Sequence, residues 1–455
     1  AMAEIEALLA RELPDAAQAG LLAQAAARDL PVLRGESVRL GWGARSAPLG
    51  DGPPDWERLG RIPLAAVTGT NGKTTTGRLI DHTLRSAGWR TGRTDTDGIW
   101  VGGKLLESGD WTGFGGAAAI LAHPEVDIAV LETARGGILR RGLAFDRCDV
   151  AVVTNVAEDH LPDRGVATVA ELARAKAAIV RAVRPDGRAV LNADDPTVVA
   201  EVAPDAAAPI IWFSLEAESP LIAAHRQAGG AVLLLRGAEL ILAEGEAEHV
   251  LLAVANLPIA LGGLARHNIA NALAAAGALH ALGLAPGQIV FGLASFQPSP
   301  DDNPGRLNRF ERDGMAIVLD YAHNADGLRV LLASARPLVA PGGRLLLIYS
   351  GTGDRTDEQI REQGAIIGAS VDRFIMRRDP YFLRGRPEGE IEPLLRAGTA
   401  DAGLPPEAIA EVDGDEQALA LALAELRPGD VLAFAVHRER QARIDQLRRW
   451  ERGES

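Results

Sequence analysis

The sequence predicts an α/β protein with a parallel-sheet central domain, a smaller α/β domain after it and a short segment in front. Three observations carry that prediction. Short apolar runs recur at the spacing of strand–helix–strand units. One of them, Ile62–Val67, leads straight into a lysine loop bracketed by glycines and then into a helical pattern. The same alternation restarts after a Pro-, Asp- and Ser-rich break at Ser295–Arg306 (SFQPSPDDNPGR).

Taken in order, residues 1–57 read as a small N-terminal piece. Residues 58–298 read as the central domain. Within it Ile62–Val67, Asp127–Leu131, Val150–Thr154 and Arg188–Leu191 read as buried strands of a parallel sheet covered on both faces. Helical patterns at Thr75–Ala87 and Thr168–Val183 lie between them. The strand-rich stretch Ile210–Ala255 (AVLLLR, AELILAE, HVLLAVA) gives way to an alanine-rich helix at Asn268–Leu282. Residues 299–455 read as a Rossmann-like domain with strands MAIVLD, RLLLIYS, VDRFIMR and DVLAFAV.

Composition narrows the class. Of 455 residues, 47% are hydrophobic and 24% charged, which rules out a mostly disordered chain. Sixty-one acidic against 47 basic residues give a net charge of −14. No nucleic acid and no membrane are therefore expected as broad-surface partners, although a local basic pocket is compatible with this charge. A single cysteine, Cys148, leaves no internal disulfide. No stretch reaches the roughly 20 apolar residues of a membrane span. The Ala/Leu-rich region after Leu251 is interrupted by Arg266, His267, Asn268 and Asn271. The first residues alternate charge with apolar side chains and lack the basic start of a signal peptide, so a cytoplasmic location is expected.

The loop is GTNGKTTT (Gly69–Thr76), a shorter form of the G-x-x-x-x-G-K-[ST] phosphate loop (P-loop) with Gly69 and Gly72 three apart. Glycines let the backbone wrap a phosphate, and the following helix offers free N–H groups and the positive end of its dipole. Gly69, Thr70, Asn71, Gly72, Lys73, Thr74 and Thr75 are thus the expected nucleotide-binding residues. Lys73 is expected to reach the β- and γ-phosphates of the nucleotide, and the Thr74 hydroxyl to bind Mg2+. The bland reading is a glycine-rich turn with an exposed lysine; the order strand, loop, helix favours the phosphate site. NTPases, kinases, GTPases and ligases share such loops, so the loop alone names no reaction.

Ligands of an open α/β sheet collect at the carboxyl ends of its strands. There the sequence places Glu132, which ends one strand, and His160 in TNVAEDHL, which follows the next. A carboxylate and an imidazole could hold a second divalent cation near the γ-phosphate. Each has an ordinary reading too, Glu132 as a helix-start carboxylate and His160 as a hydrogen-bonded loop histidine.

GTNGKTTT, the Glu132 strand end, TNVAEDHL, Lys176 in ELARAKAAIV, ARHNIANALAA, NPGR and DYAHNADGLR occur in the order of the Mur ligase superfamily. The chain resembles that superfamily over about residues 61–440. Its members include muramyl peptide ligases, folylpolyglutamate synthetase and cyanophycin synthetase. LETARGGILRRGLAFDRCDVAVVTNVAEDHL, LNADDP, GDRTDEQIREQG and LRGRPEGEI look most like the C-terminal ligase half of cyanophycin synthetases. Ala27–Leu49 is similar to the segment before the ATP-grasp domain of those enzymes, yet the phosphate loop follows almost at once. The resemblance therefore implies a chain with the ATP-grasp domain absent and one ATP site, which alone should not make that polymer.

What the resemblance implies is an ATP-dependent amide ligase of the acid–amino-acid type, working through an acyl phosphate. Its substrates would be a small-molecule or peptide carboxylate acceptor and an amino acid. On the same ground Lys73, His160, Lys176 and Arg306 are catalytic, and Thr74, Glu132 and His160 are ligands for two Mg2+ ions. Asn268 and Asn271, three apart on one helix face, would bond adenine, Arg306 the γ-phosphate and Asp320 the ribose. Lys176, 16 residues after His160, stands near the position where many members carry a carbamylated lysine; its plain reading is a surface lysine beside Glu171. His323 and Asn324 contact phosphate or amine, or simply pack.

In the C-terminal domain the polar loops Ser350–Arg355 and Arg377–Arg386 are expected to choose the amine. In one reading Asp354, Asp357 or Asp379 receives a guanidinium; in another Arg377, Arg378, Arg384 and Arg386 receive carboxylates; a solvated surface is the third. Thr94–Lys104 and Gly109–Gly116 are expected to frame the acceptor. The family's His-Leu-Gly is here His160-Leu161-Pro162-Asp163, a departure expected to reshape the acceptor entrance without moving His160. A homo-oligomer is implied by the family. Two alternatives stay open: a non-ligating ATP-binding partner subunit of a cyanophycin-type synthetase, and a poly-γ-glutamate or folylpolyglutamate-type ligase. Joint presence of Lys73, Glu132, His160, Lys176 and Arg306 argues against the first.

Overall fold

The computed structural model describes residues 16–34, 37–50, 52–158, 161 and 165–454. Two compact units divide the chain: Ala1–Ala157 with Val169–Leu252 and Ala270–Leu293, and Glu158–Thr168 with Ala253–Ile269 and Ala294–Ser455. The described part of the N-terminal segment thus belongs to the first unit, and the second takes in the turn before the alanine-rich helix.

In the first unit, α1 (Ala16–Ala27) accompanies a small antiparallel sheet of β1 (Val32–Arg34), β2 (Val38–Leu40) and β3 (Ala47–Pro48). Ala25, Leu40 and Leu59 form its apolar seam. Two backbone bonds of 2.8 Å fasten this layer down, from Trp42 N to Gly60 O and from Ala44 N to Val126 O. Gly43 between them has φ 55°, and a Cβ there would strike Val126 O, so only glycine fits.

The central elements are β4 (Leu64–Thr68), α2 (Lys73–Ser86), β5 (Thr91–Asp95), β6 (Gly98–Val101), β7 (Lys104–Ser108), α3 (Phe114–Ala122) and β8 (Ile128–Glu132). After them come α4 (Arg135–Arg141), β9 (Cys148–Val153), α5 (Val169–Lys176), α6 (Ala178–Arg181), β10 (Val183–Asn192) and β11 (Ile210–Ser214). Then follow α7 (Pro220–Gln227), β12 (Ala231–Arg236), β13 (Glu239–Glu244) and β14 (Ala247–Ala253). Their eleven strands make one sheet in the order β14-β13-β12-β11-β10-β9-β4-β8-β5-β6-β7. Every residue of β4 and β8 is buried, as a parallel strand covered on both faces requires. Each fully buried Val or Leu there contributes roughly 1.5–3 kcal/mol. The register sets Val67 of β4 opposite Glu132 of β8, and Thr68 opposite Val153 of β9, so three strands end level at the glycine loop.

The apolar pattern does not reveal β5. Its sequence is TGRTD, yet all five residues are buried. Charges make this tolerable: Asp95 accepts from Arg78 Nε at 3.1 Å and pairs with Arg93, while its other oxygen accepts the N–H groups of Asp97 (2.8 Å) and Gly98 (3.1 Å). Burial pulls the Arg93 guanidinium down to about 10, against the nearby Asp81 carboxylate that raises it. The carboxylate of Asp95 is therefore spent inside the fold.

Most of α8 (Arg266–Ala281) and α9 (Pro286–Ser295) belongs to the first unit; the second runs on through β15 (Asn308–Arg312), β16 (Met315–Asp320), α10 (Ala325–Ala335), β17 (Leu345–Tyr349) and α11 (Asp357–Ser370). It ends with β18 (Arg373–Arg378), α12 (Ile391–Asp401), β19 (Ile409–Asp413), α13 (Gly414–Glu425), β20 (Val431–Ala435) and α14 (Arg440–Glu451). The sheet order is β15-β16-β20-β17-β18-β19, parallel except for the edge strand β15. Successive side chains alternate between two cores, Leu345, Leu347 and Tyr349 in one and Leu346 and Ile348 in the other. That period of two explains why β17 reads as an unbroken apolar run. Among the described residues no helix is long and apolar enough to cross a membrane.

Candidate active site

In the first unit the site grows from the end of β4. Gly69 (φ 154°) and Gly72 (φ 86°) bracket the loop, and α2 begins at Lys73. A Cβ on Gly69 would strike Thr154 Oγ1, and one on Gly72 would strike Asn271 Oδ1. The loop therefore has no room for side chains at either bracket. Lys73 Nζ donates to Thr70 O at 2.8 Å, folding the ammonium back over the loop. Thr74 Oγ1 donates to Glu132 Oε2 at 2.9 Å, and both residues are buried. Asn271, on α8, faces the same loop and accepts from Thr76 Oγ1 at 3.5 Å. Thr75 is buried behind them.

Lys176, the last residue of α5, is 4% exposed and donates to Gly69 O at 2.7 Å. It is thus no surface lysine, and its amine reaches the first bracket of the loop. The segment after β9 holds the loop from the other side. Thr154 Oγ1 donates to Asn71 O (2.6 Å), Asn155 Nδ2 donates to Asn71 O (3.0 Å), and Asn71 N donates to Asn155 Oδ1 (2.9 Å). Thr70 Oγ1 exchanges bonds with Ala157, donating to its O at 3.1 Å and accepting from its N at 3.0 Å. Asp195 Oδ2 in turn accepts Val156 N at 2.6 Å. Thr154, Asn155 and Asp195 are positioning residues that sequence reading passed over, although TNVAEDHL and LNADDP carried them. The expectations for His160, Pro162 and Asp163 fall on residues outside the described ones.

The remaining candidates lie in the second unit. Asn268 spends its amide Nδ2 on Ile259 O at 3.0 Å, tying α8 to the turn before it. Asp320, ending β16, accepts Leu307 N at 2.9 Å. Burial raises its carboxyl above the ordinary aspartate value, opposed by the Arg306 guanidinium. Arg306 places that guanidinium 4.6 Å from the centre of the Tyr321 ring. Asn324 caps α10, its side chain accepting Gly327 N at 2.8 Å, and His323 Nδ1 lies 3.2 Å from Tyr321 O.

In the polar loops of this unit aspartates and arginines pair with one another. Each of the three aspartates meets an arginine: Asp354 meets Arg384 (3.6 Å), Asp357 meets Arg386 (2.7 Å) and Asp379 meets Arg438 (3.6 Å). Arg378 meets Asp413 at 2.9 Å. Arg377 points inward from β18 to Asp415, to Ala435 O (3.2 Å) and to His437 Nδ1 (3.3 Å). Because Arg377 donates to Nδ1, the His437 proton sits on Nε2, which is 2.7 Å from Ala322 O. Burial, reinforced by the Arg377 charge, holds His437 neutral, well below the ordinary histidine range.

A glycine-bracketed loop between a buried parallel strand and a helix, with a lysine, a hydroxyl and a carboxylate beside it, defines a phosphate-loop α/β protein. The Mur ligase middle domain family matches residues 67–279, and the Mur ligase, glutamate ligase domain matches residues 305–436. A UDP-N-acetylmuramoyl-L-alanyl-D-glutamate–2,6-diaminopimelate ligase of Gloeobacter violaceus is 31% identical over 386 residues, 82% of this chain and 72% of that one. The chain belongs to the Mur ligase family. The cyanophycin synthetase of Geminocystis herdmanii is 42% identical over 338 residues, 74% of this chain. The match spans only 38% of that synthetase. Escherichia coli FolC in complex with ADP shares the fold, with TM-score 0.60 at 20% identity over 86% of this chain and 90% of that one. MurF from Acinetobacter baumannii does so with TM-score 0.58 at 18% identity, over 86% and 77%.

Proposed function

We propose that the chain is an ATP-dependent amide ligase that joins an amino acid to the carboxylate of a small molecule or peptide. The observation that carries this reading is the buried Thr74–Glu132 pair beside the Gly69–Lys73 loop. A hydroxyl and a carboxylate are the hard oxygen donors that Mg2+ takes, so these residues fit the ion. When bound, Mg2+ would offset negative charge on the phosphates. Lys73, leaving Thr70 O, supplies a cation to the β- and γ-phosphates, and the loop and first-turn N–H groups bind their oxygens. Asn271 and Asn268 are assigned to adenine, Arg306 to the γ-phosphate, Asp320 to the ribose, and His160 to a second metal ion. An acceptor carboxylate oxygen bonds the γ-phosphorus as ADP leaves with the bridging oxygen. The amine nitrogen then bonds the acyl carbon, loses its proton, and phosphate leaves with the C–O electron pair.

A phosphate-release screen over amino acids, with acceptors that include β-aspartyl-arginine peptides, tests this. The expected result is release that needs acceptor and amine together. Tight ATP binding without turnover in every mixture would instead support a non-ligating partner subunit. Successive glutamate additions would support the folylpolyglutamate-type reading, for which the FolC-like fold speaks.

Lys176 is assigned as a carbamate, which turns a cation at Gly69 O into an anion able to orient the metal. Lys176→Ala should lower turnover by roughly 10–100-fold, the usual range for a group that orients a metal site. Added short carboxylates should restore part of it. An unaffected variant removes Lys176 from the machinery.

A further inference from the structure

A cavity of about 900 Å3 opens at the amino ends of the parallel strands, opposite the phosphate loop. Ile62 and Pro63, just before β4, and Cys148 and Asp149, opening β9, line one side; the N-terminal layer lines the other with Arg28, Trp42 and Arg45. No role in the ligase reading touches it. Its hydrogen-bonding groups are out of balance. The acidic side chains are engaged: Asp29 by Arg147 (2.7 Å) and Arg61, Asp149 by Leu64 N (2.8 Å) and Arg184 (2.9 Å), and Asp186 by Arg184. Asp127, at the same wall, accepts Arg90 N at 3.3 Å.

The donors fare differently. Among the described residues, Trp42 Nε1 and Arg61 Nε are buried with no acceptor, and Trp42 is 2% exposed. Arg45 reaches only Leu59 O, at 3.5 Å, and Arg28 only Gln24 O, at 3.0 Å, with its guanidinium over Trp56. Neither arginine has a carboxylate partner among the described residues. Two lining arginines without a carboxylate partner, on a cavity whose own carboxylates are engaged, call for a ligand made of acceptors, and an arginine fork suits carboxylate and phosphate oxygens.

We infer that this cavity is a second ligand site for a small multivalent anion, one bearing two or more carboxylate or phosphate groups. Arg28 and Arg45 receive it, while Arg61 is held by Asp29 and Asp146 (2.6 Å). The site stands apart from the phosphate loop and does not depend on the ligase reading.

The test is titration of the full chain with citrate and with inorganic pyrophosphate, followed by calorimetry and by tryptophan fluorescence. Saturable binding of at least one is expected, with Kd raised about tenfold by Arg45→Gln and by Arg28→Gln. Tenfold is ~1.4 kcal/mol, about one charge-assisted hydrogen bond. Lys73→Ala should leave that Kd within about twofold, since the phosphate loop is elsewhere. Tighter citrate marks a carboxylate ligand, tighter pyrophosphate a phosphate ligand. Arg28 is exposed, so Arg28→Gln keeps the fold even if Arg45→Gln does not. Absence of saturable binding by both anions overturns the site. So does binding that Lys73→Ala removes while both arginine variants keep it, because that places the anion at the phosphate loop.

Discussion

Replacing Lys73 by alanine is expected to lower ATP turnover by about 10³-fold or more, the scale on which a preorganised charge at a transferring phosphoryl group acts. Lys73 heads α2, and its ammonium donates to the loop's own Thr70 O at 2.8 Å. The bracket that shapes the loop, Gly69 and Gly72 against Thr154 and Asn271, does not use the Lys73 side chain. The variant should therefore melt within a few degrees of the parent while ADP formation disappears. Lys73→Arg should not rescue, because a planar fork cannot replace a point charge at the end of a flexible stem. Full turnover by Lys73→Ala would sink the assignment of the loop.

The largest effect on stability is expected at Arg377. Its side chain is wholly buried, pairs with Asp415, donates to Ala435 O and His437, and lies 4.8 Å from the Phe382 ring centre. Arg377→Ala leaves Asp415 without that cation in a mostly buried place, a change that typically costs about 3–5 kcal/mol. Urea unfolding reads it directly; a loss under about 1 kcal/mol would mean that the charge does not hold the end of this sheet together.

His437 supplies a second readout. Its folded pKa is depressed, so the unfolded chain takes up the proton first, and stability falls as pH drops below about 6.5. Removing Arg377 removes a nearby positive charge. Nuclear magnetic resonance should then show His437 titrating at higher pH in Arg377→Ala than in the parent.

These two residues also mark what a sequence can and cannot disclose. Lys73 is legible because a phosphate loop is local: directly after a strand, two glycines, the lysine and the helix start fall within eight consecutive residues, Gly69–Thr76. Arg377 is not. In RFIMRRDPYFLRGR it looks like one of several basic loop residues, and only the pairing of β18 with its neighbours turns it inward while Arg378 stays outside. The same holds for β5, whose Arg93 and Asp95 look like solvent-facing residues until Arg78 and Asp81 of α2 are brought beside them.

By itself the sequence determined the α/β class, the parallel strands β4, β8, β9 and β10, the loop and the family. Each of these is written in neighbouring residues, as burial on both faces makes a strand uniformly apolar and a phosphate cradle needs glycines at fixed steps. Only the tertiary structure decided that Thr74 meets Glu132, that Lys176 reaches Gly69 O, and that the arginines of the N-terminal layer share a cavity with the amino ends of the strands. Those contacts join residues 58 to more than 100 positions apart. Sheet register and crossover packing set them, and no local pattern of residues encodes either.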